Sequence, residues 1–325
     1  MLTVLMATRN GAGWIGKSLD SLCALAPPTG GWRLIVVNNG STDETGQILA
    51  RYAERLPLCI VHSTRPGKNA ALNLGLAHAE GELIAFTDDD VIVDPQWLVH
   101  LAGAAAAEPE YAIFCGAIRP EWPHEPAPWI LDLVPLGLTY SLTPALQRGA
   151  CTPSAVWGPN MAVRARVFRA GPRFDESIGP DDSSGYAMGS ETSFTRRLAV
   201  RGERCFHVPE ALVGHIIRPT QMTRDFALRR AYRGGRGKGL LAQELEPTLD
   251  VAGVPRYFLR QAAQAAAGYG AARLRRDPAA AFKAAWQWHY AVGCIQGARA
   301  VAVTAAASRA PMPRDAPIQS AQALA

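Results

Sequence analysis

The chain is poor in charge, and its cysteines show no close spacing. Of its 325 residues, 19% are charged and 48% hydrophobic, a balance that excludes an intrinsically disordered polypeptide. Its six cysteines, Cys23, Cys59, Cys115, Cys151, Cys205 and Cys294, are scattered with no C-x-x-C spacing, which argues against a zinc site and a disulfide framework. No uninterrupted apolar run is long enough to span a bilayer, and the opening MLTVLMATRN lacks the basic region and cleavage site of a signal peptide. These absences predict a reducing, cytoplasmic setting. There is no internal repeat and no interleaving of aromatic and basic residues of the kind that binds single strands. The formal net charge of +5 suits anionic ligands or an anionic membrane surface and does not single out nucleic acid.

What is present centres on residues 82–95, ELIAFTDDDVIVDP. Residues 83–86 form a short apolar run typical of a strand buried on both faces, and it stops abruptly at Asp88, Asp89 and Asp90. If the backbone stays extended, Asp88 and Asp90 share a face and Asp89 takes the other. Two carboxylates on one face repel, and a divalent cation with oxygen ligands relieves that repulsion while keeping positions open for substrate phosphates. Carboxyl ends of strands are also where open α/β sheets bind ligands. The competing reading is an acidic, solvated turn, with Asp94 and Pro95 as cap and first position of the helix that carries Trp97, Leu98 and Leu101.

Strands are expected at residues 2–7, 33–37, 58–62 and before the acids, with helices between them marked by Ile15, Leu19 and Leu22, by Ile48, Leu49 and Tyr52, and by Leu72, Leu76 and Ala79. Thr42 or Asp43 can cap the second helix. This alternation predicts a parallel sheet with right-handed crossovers. Beyond it, residues 113–118 read as a strand and residues 120–135, rich in Pro and Trp, as a loop of no definite conformation. Residues 156–163 precede another helix, and residues 175–189 form a Gly- and Asp-rich loop. Glu191 opens a helix closed by Gly202, and residues 205–209 form one more strand. From Gln221 the composition shifts. Arg224, Arg229, Arg230, Arg233, Arg236 and Lys238 surround GGRGKG, read as a flexible basic loop able to close over a diphosphate; it lacks the full P-loop pattern. Residues 254–307 are Ala-rich and helical, and the tail after Pro311 reads as disordered.

Six segments, ATRNGAGWI, VVNNGSTD, GKNAALNLG, FTDDDV, GPNMAVRARVF and GSETSFTRRLAVRG, occur in the order found in family 2 glycosyltransferases with the GT-A fold, which the chain resembles from about residue 2 to residue 215. The resemblance implies an α/β fold: a Rossmann-like, mostly parallel sheet flanked by helices, with the Ala-rich helices as a C-terminal extension. The division it suggests is a GT-A domain over residues 1–220, split at 115/116 into a nucleotide-sugar half and an acceptor half, then a basic loop and helical extension over 221–310 and a tail over 311–325. The implied reaction is inverting transfer of a sugar from a nucleoside diphosphate sugar to an acceptor hydroxyl. Thr8, Asn10 and Asn38 would seat base and ribose. Asn38 stands where the family usually has Asp; its amide still accepts from a uracil N3–H, so a UDP-sugar is expected. Asp90 would bind Mn²⁺ or Mg²⁺, Asp88 the ribose or metal, and Asp89 would belong to the same nucleotide-sugar site. Arg65 and Lys68 would add positive charge.

Several of these residues have a second, plain reading. His215 matches a histidine that relatives place on metal or diphosphate, but a lone histidine is often structural. Glu191 sits where the family usually has an Asp base, yet an acid in the first turn of a helix is also favoured by the helix dipole. Asn160 and Met161 would line the sugar or acceptor pocket, or be a buried strand end. The C-terminal Trp, Tyr and basic residues suit a peripheral membrane contact on the inner face of the cytoplasmic membrane and a lipid-linked or carbohydrate acceptor, or else pack on the catalytic domain or a second subunit. The setting implied is bacterial cell-surface polysaccharide or glycolipid synthesis. The alternatives are a sugar-phosphate nucleotidyltransferase, against which the first loop ATRNGAGWIGK argues, and a non-catalytic scaffold, which would need the metal or base carboxylates to be missing.

Overall fold

A computed structural model describes all residues except 182, 184, 246–249 and 310–325. The tail expected to be disordered lies outside the described residues. The elements run β1 (Leu2–Thr8), α1 (Ile15–Cys23), β2 (Trp32–Asn39), α2 (Thr45–Tyr52), β3 (Leu58–Ser63), α3 (Lys68–Leu76), β4 (Leu83–Asp88), β5 (Val91–Val93), α4 (Trp97–Ala107) and β6 (Ile113–Glu121). They continue through α5 (Pro128–Leu133), α6 (Leu136–Tyr140), β7 (Gly149–Cys151), β8 (Met161–Arg164), α7 (Ala165–Arg169), α8 (Ser190–Val200), β9 (Cys205–Ile216), α9 (Arg224–Leu245), α10 (Arg256–Leu274) and α11 (Pro278–Arg309).

The sheet is ordered β3-β2-β1-β4-β8-β6-β9-β5, with β7 also on β9. The first four strands are parallel, as alternating strands and helices require, and β8 joins β4 antiparallel. Residues alternate between two cores. Val4 and Met6 meet α1 and α4 through Leu19, Leu22 and Leu98. Leu5 and Phe86 meet the other layer through Leu72, Phe168 and Phe194. A sheet covered on both faces has strands that are apolar throughout, which is why these four could be read from composition alone.

Three local expectations change. Asp94 caps the turn that leads into α4, its Oδ1 accepting from the Gln96 amide at 2.8 Å and its carbonyl from Trp97 at 2.9 Å, but the helix itself begins at Trp97, two residues later than Pro95. β9 runs on through Pro209 to Ile216, and its far half pairs antiparallel with β5, setting His215 opposite Val91. Residues 234–239, GGRGKG, are no loop but the middle of α9. Their glycines explain it: a Cβ on Gly235 would overlap the Tyr290 carbonyl oxygen, and one on Gly293 of α11 the Tyr232 carbonyl oxygen. Gly239 and Gly297 repeat the arrangement one turn later. Glycines spaced by four on both helices let the backbones touch, and that packing offsets the ~1 kcal/mol cost of each glycine in a helix.

Candidate active site

The carboxyl ends of β1, β2 and β4 open into a two-lobed cleft. Lys68, Asp88, Asp90, Pro180 and Arg218 wall both lobes. The first lobe, about 330 Å³, is completed by Thr8, Arg9, Trp14, Asn39 and Asp89. The second, about 320 Å³, is completed by Trp157, Gly158, Tyr186, Glu191, His215 and Arg230, among others.

β4 ends at Asp88, and the next two acids lie in the turn that leads to β5. Each acid has its own partner. Asp88 takes an ion pair from Lys68 at 2.6 Å. Asp89 accepts from the Thr8 hydroxyl at 2.5 Å. Asp90 faces His215 Nε2 at 3.4 Å and Arg218 at 3.0 Å. Burial pushes Asp89 upward and Asp90's charge adds to that. Burial acts on Asp90 in the same sense, but His215, Arg218 and Lys68 together hold it below the usual carboxylate range. Of the trio, Asp90 is the one whose surroundings favour the charged form beyond the ordinary.

His215 donates from Nδ1 to the Tyr140 carbonyl at 2.6 Å, since that oxygen only accepts. This fixes the ring so that Nε2 is turned toward Asp90, and in the neutral ring Nε2 carries the lone pair. Burial disfavours charge on the imidazole, yet Asp90 raises its affinity for a proton. Among the described residues no three His, Cys, Asp or Glu side chains converge as a metal cluster. Asp90 and His215 are two donors of the kind that hold a divalent ion sharing its remaining positions with substrate oxygens.

Lys68 is the first residue of α3, and its amide is fixed to the Pro180 carbonyl at 2.9 Å. Its ammonium stands 2.6 Å from Asp88 and 3.7 Å from Glu191. Burial alone would discharge it; Asp88 and Glu191 reverse that and raise its pKa above the ordinary value. Glu191 is the second residue of α8, and its carboxylate rests over Gly158, where a Cβ would collide with Oε1. One lysine thus ties the acid expected to act as base to the acidic strand end.

Other expected residues are placed differently. Asn38 turns off the cleft and accepts from the Ser41 amide at 3.1 Å. Its neighbour Asn39 lines the first lobe, donating to the Gly67 carbonyl at 2.9 Å and leaving a buried Oδ1 with no protein partner. Asn10, at φ 52°, ties the first two strand-end loops together by accepting from the Thr42 amide at 2.8 Å. Asn160 and Met161 line neither lobe. Asn160 accepts from the Trp97 indole at 2.9 Å and donates to the carbonyls of Ala117 and Ala211 at 2.9 and 2.7 Å. Met161 is core packing on β8. These two are the buried strand end. Arg65 is ion-paired to Glu176 outside the cleft. Arg218, which stacks over Trp14, and Tyr186 of the second lobe were not foreseen. Arg230 belongs to the cluster noticed in the sequence, but only the helical α9 aims it at Leu138 and Thr139.

With this geometry in hand, known proteins can be compared. The model of glycosyl transferase family 2 matches residues 3–169, about half of the chain. The chain belongs to glycosyl transferase family 2. Relatives in this family include a beta-monoglucosyldiacylglycerol synthase of a Nostoc species, 33% identical over 104 residues, which are 31% of this chain and 22% of that protein. Another is the poly(ribitol-phosphate) beta-N-acetylglucosaminyltransferase TarS of Staphylococcus aureus, 33% identical over 100 residues, 30% of this chain and 17% of that one. The matched part thus spans about a third or less of the curated relatives. Over nearly the whole chain the family fold is shared with the mannosyltransferase PcManGT of Pyrobaculum calidifontis, solved with GDP-Man and Mn²⁺. The TM-score is 0.56 at 21% identity, covering 96% of this chain and 76% of that one. The same holds for residues 1–349 of S. aureus TarS, with a TM-score of 0.52 at 16% identity, covering 95% and 92%.

Proposed function

We propose that this protein transfers a glycosyl group, with inversion, from a nucleoside diphosphate sugar to an acceptor hydroxyl. One observation carries the reading: the Glu191 carboxylate and the Asp88–Asp90 strand end face a common cleft and share Lys68. The first lobe takes the nucleotide, with Thr8 and Asn39 at its floor; the free Oδ1 of Asn39 suits a base N–H, and a UDP-sugar is the expected donor. Asp90 and His215 would hold Mn²⁺ or Mg²⁺, which when bound offsets charge developing on the departing diphosphate. Lys68 and Arg218 add positive charge at the same point. Glu191 accepts the acceptor hydroxyl's proton as the oxygen bonds to the anomeric carbon and the nucleoside diphosphate leaves from the opposite face. The acceptor belongs in the second lobe, as a carbohydrate or a lipid-linked one of cell-surface polysaccharide or glycolipid synthesis.

Among the described residues no helix is long and apolar enough to cross a membrane. A peripheral contact is supported by Tyr269 and Leu274, exposed on α10 and close in the chain to the exposed Arg273, Arg275 and Arg276, and by Trp288, exposed on α11. Cosedimentation with anionic but not neutral vesicles is the expected result, and a dimer in solution without vesicle binding would assign those helices to a second subunit.

The activity is tested by titrating UDP, GDP, dTDP, CDP and ADP into the protein with Mn²⁺, with Mg²⁺ and with EDTA, then repeating on Asp90→Ala. Selective, metal-dependent binding of one nucleotide, lost in the variant, is expected. Binding of none of them sinks the reading.

A further inference from the structure

The Pro- and Trp-rich stretch over 120–135 that resisted a sequence assignment carries α5, α6 follows it directly, and with residues 118–122 and 142–157 these line a cavity of about 730 Å³. That is larger than either lobe of the cleft and within the ~300–1,000 Å³ of small-molecule sites. Ile118, Trp122, Leu136, Leu142, Leu146 and Trp157 line it. Arg119 is the sole charged residue among those lining it, with no acid beside it. Leu131, 52% exposed, stands at its mouth, so the cavity is open to water rather than sealed in the core. Water against so much apolar wall is released at a gain when a hydrocarbon replaces it.

Its position gives it a use. Trp157 walls both this cavity and the second lobe of the cleft. The next residue, Gly158, is the seat of Glu191, and consecutive Cα atoms are ~3.8 Å apart. The segment between lies against the base-bearing helix: the Thr195 hydroxyl of α8, bonded to the Glu191 carbonyl at 2.9 Å, is also 3.2 Å from the Pro153 carbonyl. On the other side, α6 passes Leu136 and Gly137 to the cavity and Thr139 to the lobe. A molecule with a polar head and an apolar chain can therefore lie across Trp157 with its head in the lobe and its chain in the cavity.

We propose that this cavity binds the hydrocarbon chain of an amphiphilic acceptor, which presents its hydroxyl to Glu191 past the edge of Trp157. The proposal deepens the transferase reading and rests on it for the word acceptor. The absence of acid at the wall and Arg119 beside it suit a neutral or anionic amphiphile rather than a cationic one.

The probe is a series of n-alkyl β-glucosides, hexyl, octyl and decyl, kept below micelle-forming concentrations and titrated into the full chain by calorimetry. Because the head is constant, dependence on chain length reports the cavity and not the sugar. Each methylene buried there is expected to tighten binding about fourfold, or ~0.8 kcal/mol. In Ala155→Trp, whose new ring fills the cavity from its wall, the dependence disappears; in Leu131→Glu, at the exposed mouth, decyl glucoside binds at least about tenfold more weakly. Nucleotide titration on the same samples verifies their folding, and Leu131→Glu decides if Ala155→Trp does not fold. Binding without dependence on chain length, or a dependence unchanged in the folded variants, overturns the proposal. Chain-length dependence in a wild-type protein that binds no nucleoside diphosphate would remove the transferase reading and leave a hydrocarbon site standing.

Discussion

The strand-end cleft and the C-terminal helix pair are built on opposite terms. At the cleft, charge is concentrated and partly desolvated: three consecutive carboxylates, each with its own partner, and one lysine shared between two acids. Between α9 and α11 side chains are withheld so that backbone meets backbone. The first region stores electrostatic potential that a ligand can use; the second fixes distance. Substitutions should accordingly affect chemistry in one and stability in the other.

The sharpest contrast is expected from Glu191→Gln. If it is the base, transfer falls by about 10²–10⁴ while the urea midpoint hardly moves; an equal loss of stability and rate would erase the distinction. Gly293→Val works in reverse. Its side chain meets the Tyr232 carbonyl and the Arg236 amide, which cannot rotate away, so unfolding should become easier by about 3 kcal/mol, the upper end of ordinary overpacking, as read by denaturant titration. Asn160→Ala belongs with the glycine although it lies in a motif next to the cleft. It strips a partner from the buried Trp97 indole and two carbonyls, costing about 2 kcal/mol of stability with nucleotide affinity unchanged. The smallest effect separates two neighbours. Asn39→Ala should weaken nucleotide binding about fivefold, the worth of one hydrogen bond near 1 kcal/mol, whereas Asn38→Ala should leave it alone; the opposite ranking would move the base-reading residue back to Asn38.

The same contrast governs what could be read from the sequence. Parallel strands covered on both faces are unbroken apolar runs, so β1 to β4 appear within two residues of where they were expected. Lys68, Asp88, Asp90, His215 and Glu191 stand where motifs end strands or begin helices, and all of them line the cleft. The sequence points to Asn38, whereas Asn39 lines the first lobe: neighbours on a strand face opposite ways, and composition does not say which face is open. β9 was cut short at Pro209, whose missing N–H argues against a long strand. α9 was hidden by glycines that read as a loop until the backbone of α11 is set against them. Arg218 and Arg230 come from elements far along the chain, and no local pattern aims them.

The α9 glycines act on both sides of the helix. Gly237 points away from α11, and a Cβ there would overlap the Met188 carbonyl oxygen; Met188 in turn donates its amide to the Arg233 carbonyl at 3.1 Å. Met188 lines the second lobe three residues before Glu191. A contact made of backbone on both faces has no rotamers that could yield, so α9 behaves as a rigid shim between the outer helix and the wall of the cleft. A load that shifts α11 by an ångström is passed on to that wall rather than absorbed.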